Sequence, residues 1–380
     1  MVELELGYKG VRDGGFLAIG QAFGASKQLS KLDLSRNNGA GDDGVVAFCK
    51  AAQRAASPLN VLPFQALTFL DLSDCQIGPR GIRVLAESFS GYEEDCNSGE
   101  CSVTSEGSGS ARLPLVLLLN SNPCIGRSPE DLSAFRYFLQ PPSLEYSHLT
   151  TLKLTHCDIN DEGIKALCSA VDNGGCSGLL SLDLSHNRIG VEGAKFIAEA
   201  LACNVLGSTS AYRCKLTTLQ ELYLAGNPIE SDGAVAIAAS LKQREVEDEV
   251  HANTSNIALQ VLDLSKTCCG HDGAAAILKC GCLTLVRIFD NNLCSAGFQH
   301  MCPLLKGGHP SLNLLDLSGN RAEDAAVCAL LNTLMEDRAW ESSLRVLELG
   351  GNKFGSDSED AVKRLKEKRP ELDIARDRPN

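Results

Sequence analysis

The residues of this sequence with chemistry to offer are seventeen cysteines, seven histidines and a carboxylate that recurs between leucines. Cys96 and Cys101 share one polar segment and could pair or bind a metal, but two thiolates fall short of a closed zinc site. Cys268, Cys269, Cys280, Cys282, Cys294 and Cys302 crowd a second region without a Cys-x-x-Cys pair, and read as core residues. His156 and His186 occupy equivalent places in successive copies of a pattern, and read as surface histidines rather than a metal pair. Gly-x-Ser-x-Gly, the phosphate-binding Walker loop, His-Glu-x-x-His and a strand-to-helix Gly-x-Gly-x-x-Gly are all missing. The repeated carboxylates lack the differing environments that split two pKa values for acid–base work. The reading is therefore no catalytic group, no metal and no cofactor.

The elements that position these residues are copies of one unit. In Leu179–Leu201, Leu182 and Leu184 lie on one face of a strand, with Ser181 and Asp183 on the other. Ala194, Ile197, Ala198 and Leu201 follow at helical spacing, with Glu192 near the helix start. A single strand and helix of this size cannot bury its own apolar face and needs copies on both sides. Copies begin at Met1, Leu29, Leu67, Pro114, Leu149, Leu179, Leu219, Leu259, Leu283, Leu312 and Leu344. The fourth and sixth positions are apolar in every one. The ninth is usually asparagine (Asn37, Asn122, Asn187, Asn227, Asn291, Asn320, Asn352), replaced by Cys75 and Cys157 in two copies. That column sits where the chain leaves the strand, where a side chain should bond unpaired buried backbone groups. Glycine fills the fifteenth position in seven copies, Gly193 among them.

This pattern resembles the leucine-rich repeat family, and the helix-containing unit of near 28 residues is similar to its ribonuclease-inhibitor class. The resemblance implies an α/β solenoid of about 11 repeats, a curved horseshoe with parallel strands on the concave face and helices on the convex face. Fold alone does not select an activity. The GTPase-activating proteins for Ran are similar in repeat type and use a loop arginine to stabilise phosphoryl-transfer charge. Arg127, in the loop after Gly126, is the residue this alternative names, although the acidic C-terminal tract of that family is missing. A ribonuclease-inhibitor-like regulator is the other alternative. Against it stand irregular unit lengths and the lone Trp340, where that family's contact face is rich in tryptophan.

The repeats argue for one array over residues 1–375 with a polar tail at 376–380. Residues 90–112, rich in Gly, Ser and Glu, read as a mobile insertion, and smaller insertions fall at 203–215 and 242–257. The last of these carries a charged segment expected to prolong a helix. Ser128 and Pro129 read as a helix start, the basic Lys363–Lys368 as a helix end, and Pro370–Ile374 as a closing strand. Met1, Leu4 and Leu6 already hold repeat positions, so either the first strand is bare or the natural chain is longer. No apolar run reaches membrane-spanning length, and the first residues do not form a signal peptide. A reduced, cytoplasmic protein is expected, with nuclear, ciliary or cytoskeletal association open. The net charge of −13 disfavours nucleic acid and anionic membrane.

Function then falls to a protein partner on the concave face. The fifth position reads Glu5, Asp33, Asp71, Leu118, Lys153, Asp183, Tyr223, Asp263, Arg287, Asp316 and Glu348. This acidic column would either hold a basic partner or be a strand solution whose aspartates are solvated or bonded to a neighbouring repeat. The third position turns apolar late in the chain, at Val261, Leu285, Leu314 and Val346, with Phe289 nearby, and contiguous apolar surface marks docking. The expected contact residues are these five, with Arg287, Tyr223, His156, His186, Asp183, Asp263 and Asp316. Oligomeric state is open.

Overall fold

In the computed structural model the leucines of the fourth position pair in register from strand to strand. The structure describes residues 1–59, 61, 63–90, 92–94, 101–103, 113–126, 132, 135, 138, 149–171, 178–202, 216, 218–250, 259–306, 309–336 and 343–376. It packs as two units, residues 1–187 with 204–218, and residues 188–203 with 219–380.

The first unit holds parallel strands β1 (Val2–Glu5), β2 (Leu29–Asp33), β3 (Phe69–Asp71), β6 (Leu115–Leu118), β7 (Leu149–Lys153) and β8 (Ser181–Asp183). Between the third and fourth of these come β4 (Tyr92–Glu94) and β5 (Cys101–Val103), which pair antiparallel, Tyr92 with Val103. The insertion read as a mobile loop thus contains a hairpin. Its few strand-favouring residues pair with each other, a signal hidden by the surrounding Gly, Ser and Glu. The helices are α1 (Asp13–Phe23), α2 (Gly41–Ala56), α3 (Pro79–Ser90) and α4 (Asp161–Val171), of which α1 packs on α2 and α2 on α3. Leu32, Leu70, Leu117, Leu152 and Leu182 follow one another across the sheet and are buried. Behind them Phe48 and Phe64 stack at 4.5 Å, Phe64 and Phe89 at 5.5 Å, and Phe89 continues to Phe138 at 6.2 Å. Such ring pairs add about 0.5–1.5 kcal/mol each beyond their buried area.

The second unit holds parallel strands β9 (Glu221–Tyr223), β10 (Val261–Asp263), β11 (Leu285–Arg287), β12 (Leu314–Asp316), β13 (Val346–Glu348) and β14 (Asp373–Ala375). Its helices are α5 (Val191–Leu201), α6 (Glu230–Val250), α7 (Gly270–Ile277), α8 (Cys294–Lys306), α9 (Asp324–Glu336) and α10 (Ser356–Lys368). α6 does carry the charged segment forward, to Val250. The fifteenth-position glycines allow helix starts to approach: a Cβ on Gly233 would lie 2.8 Å from Ala194 Cβ, and one on Gly273 2.8 Å from Ala234 Cβ.

The closing strand begins at Asp373 rather than Pro370, because the residues before it are held by Arg369. Arg369 is 1% exposed, donates Nη2–H to Leu344 O at 3.1 Å, and pairs through Nε with Glu371 at 3.3 Å. The helix start expected at Ser128 and Pro129 lies outside the described residues.

Asparagine of the ninth position ties each repeat to the one before it. Asn187 Nδ2 donates to Leu154 O and Leu184 O, both at 2.8 Å, while its Oδ1 accepts from the N–H groups of Cys157 and Ile159 at 3.0 and 3.1 Å. Asn122 and Asn320 make the same four bonds in their own repeats. Cys75 Sγ takes the donor role, reaching Leu34 O at 3.1 Å, and Cys157 Sγ reaches Leu119 O at 3.2 Å. Thr267 Oγ1, in the same column, donates to Leu264 O at 2.7 Å. Burial pushes the Cys75 and Cys157 thiols up to about 12, so they stay protonated and able to donate.

Replacing Asn187 with alanine should strip partners from four buried backbone groups and cost about 3 kcal/mol. Asn187→Cys should cost roughly half as much, because the donor half of the bridge survives. Urea denaturation of the full chain measures both, and equal losses would remove the bridging role.

Candidate functional site on the solvent face of the strands

The strand face turned away from the helices carries the third and fifth positions, and the two units fill it differently. In the second unit Val261, Leu285, Leu314 and Val346 are register partners on four adjacent strands, so they form one unbroken apolar row. All four are half-buried. The row ends on carboxylates: Glu221 pairs with Val261, and Asp373 pairs with Val346. Beside it runs Tyr223, Asp263, Arg287, Asp316 and Glu348, again in register. Arg287 Nη1 lies 4.0 Å from Asp263 Oδ2, and Tyr223 Oη–H donates to Glu221 at 3.3 Å. Phe289 lies against Gly319, where a Cβ would come within 2.7 Å of the ring, and Lys266 Nζ stands 5.5 Å from the ring centre.

One expected contact residue is withdrawn from this surface. Asp316 is 1% exposed, and its Oδ1 accepts the N–H of Ser318 at 2.9 Å. The same bond recurs down the column: Ser35 to Asp33, Ser73 to Asp71, Ser185 to Asp183 and Ser265 to Asp263, at 2.9–3.0 Å. Each aspartate therefore closes a short turn within its own repeat, and Asp263 also faces Arg287 of the next repeat at 4.0 Å. The Asp-x-Ser spacing carries that signal in the sequence. Burial raises the carboxyl of Asp71, partly opposed by the Ser73 hydrogen bonds. Ser181, on the same face, is also buried, at 8% exposure.

In the first unit His156 and His186 are exposed and stacked, with ring centres 4.5 Å apart and planes 9° from parallel. Both have φ near +57°, at 58° and 56°. This eighth position is left-handed in every repeat, through Tyr8, Arg36, Asp74, Ser121, Gly226, Lys266, Asp290, Gly319 and Gly351 as well. Histidine tolerates that backbone better than most residues, so the turn alone favours it. Burial lowers the His156 pKa, the charge of His186 lowers it further, and Asp183 opposes both.

No group of three His, Cys, Asp or Glu placed to hold a metal occurs among the described residues. Cys269 and Cys280 are buried, with thiols pushed up to about 12 by that burial. Arg127, Cys96 and Trp340 lie outside the described residues. Among the described residues no helix is long and apolar enough to cross a membrane.

The repeat geometry now meets the known proteins. The family model described as Leucine Rich repeat matches residues 26–49, 65–86, 147–168, 175–198 and 215–238. The chain belongs to the leucine-rich repeat family. The pig (Sus scrofa) ribonuclease inhibitor is 25% identical over 384 residues, spanning 89% of this chain and 80% of the relative. The human protein NLRC5 is 29% identical over 212 residues, covering 55% of this chain and 10% of that protein. Among solved structures, the yeast Rad7 and Elc1 complex aligns at TM-score 0.44 and 15% identity, covering 95% of this chain and 78% of that one. An internalin from Listeria monocytogenes aligns at TM-score 0.42 and 16% identity, covering 93% and 82%. This leucine-rich repeat chain is thus ribonuclease-inhibitor-like along most of its length.

Two measurements test the reading of the polar residues. Asp183→Asn should keep the turn and leave stability nearly unchanged, whereas Asp183→Ala should cost about 1 kcal/mol in thermal unfolding. In an NMR titration His156 should have a midpoint below the ordinary histidine range, moving up in His186→Ala and further down in Asp183→Asn. Neutral His156 therefore adds stability above the ordinary histidine pKa and loses it as pH falls through the lowered one.

Proposed function

We propose that this chain is a non-catalytic scaffold, a leucine-rich repeat array over residues 1–375 that binds a partner protein on the solvent face of its strands. The observation that carries the proposal is the apolar row Val261, Leu285, Leu314 and Val346, four register partners that remain partly open to water. Contiguous apolar rows that stay partly open to water mark partner docking more often than scattered residues do. Arg287, Phe289, Tyr223 and Asp263 border the row and would set specificity, since aromatic and arginine side chains dominate binding energy at protein interfaces. In the first unit Asp183 and the stacked His156 and His186 offer a separate polar contact. A basic partner fits the carboxylates of the face, and a cytoplasmic location fits the thiols held as thiols. A ribonuclease-inhibitor-like regulator is the second reading, favoured by 25% identity across 89% of the chain. It expects stoichiometric loss of a ribonuclease's activity when this chain is added.

Affinity capture from the native cell, with wild type beside Leu285→Glu, is the direct test. Leu285 is partly open to water, so the variant should keep a cooperative circular dichroism melt, yet lose its partner by at least about ten-fold in affinity. Undiminished capture by the folded variant would exclude this face.

A further inference from the structure

We propose that the apolar row of the second unit receives a single amphipathic α-helix of the partner, lying across β10 to β13 with basic residues along its flanks. This rests on the protein-binding reading above and specifies the form of what binds.

Spacing selects the helix. Neighbouring strands lie about 4.8 Å apart, so the three steps from Val261 to Val346 cover about 14 Å. A helix presents apolar residues at i, i+3, i+7 and i+10 over about 15 Å, close to 5 Å per step. An extended segment presents alternate residues about 6.7 Å apart, so four of them cover about 20 Å and fall out of step after the first contact. Only the helix can seat a side chain on every member of the row.

Width agrees with spacing. The row is one residue wide. Leu259, Leu283, Leu312 and Leu344 turn inward and are buried, and the outer border is polar, with Gln260, Asn313 and Arg345 exposed. The inner border is Asp263, Arg287 and Glu348, with Asp316 of the same column buried. A narrow stripe between polar rows complements the stripe of an amphipathic helix, not a broad apolar surface. Phe289, held against Gly319, stands as a wall at the turn end of the face.

Charge sets the flanks. Glu221, Asp263, Glu348 and Asp373 surround the row, against Arg287 and Arg345, and Arg287 already faces Asp263 at 4.0 Å. The surplus of carboxylates calls for lysine or arginine beside the helix's apolar stripe.

The test uses the full chain and fluorescein-labelled synthetic peptides of leucine and lysine. One places leucines at i, i+3, i+7 and i+10, a second of the same composition alternates them, and a third keeps helical spacing with glutamate for lysine. Fluorescence anisotropy should show saturable binding of the first alone, weakened about ten-fold or more by Leu285→Glu or Leu314→Glu. Val235→Glu, on the outer surface of α6, should leave it unchanged. Equal binding of the alternating peptide, or of the glutamate peptide, would overturn the helix or its basic flanks. If no peptide binds while native partner capture still depends on Leu285, the helix proposal fails and the protein-binding reading stands. If Leu285→Glu changes neither, both fall.

Discussion

The structure depends on one buried amide. At the ninth position of the repeat, a side chain that both donates and accepts is required where the chain turns out of the strand and its backbone groups lose their sheet partners. Asn187 meets that need by bonding the carbonyls of two successive repeats and two N–H groups of the preceding one. An apolar residue would take this partner from all four groups, at about 3 kcal/mol in all. In a solenoid each repeat touches only its neighbours, so such bonds between successive repeats decide its order.

Much of the chemistry the sequence displays is absorbed by this need. Cys75 and Cys157 are thiols in asparagine's place, donating to the same carbonyls with burial keeping them protonated. The aspartates of the fifth position spend one carboxylate oxygen on a serine N–H two residues later. Histidines at the eighth position occupy a left-handed turn that Gly, Asp, Arg and Lys fill elsewhere. Even helix capping is shared between repeats: Asp42 Oδ1 accepts from Gly78 and Gly81, and Asp324 Oδ1 from Gly355 and Ser358. Residues with the types of an active site serve here as architecture.

Periodicity made the strand and helix of each repeat legible, because a column such as Leu32, Leu70 and Leu117 has only one physical explanation. The apolar row was legible for the same reason, as a departure from a known column. Other features were hidden by the limits of that signal. Asp316 shares its type and position with half-buried aspartates, and only packing in its own repeat buries it fully. The stack of Phe48, Phe64 and Phe89 joins residues at unrelated places in their repeats, so no column revealed it. Arg369 follows a basic helix end and holds no repeat position, yet it is among the most buried large side chains described.

What remains for function is the set of residues that the repeat does not require. On the strand face of the second unit these are an apolar row with acidic ends, and on the helices they are scattered exposed residues such as Val235. The account holds that a partner meets the strands and not the helices. Site-specific photo-crosslinking in the native cell tests this most directly, with benzoylphenylalanine placed at Leu314 on β12 or at Val235 on α6. The account predicts a covalent adduct with a discrete partner from position 314 and none from position 235. Adducts from position 235 alone would contradict it.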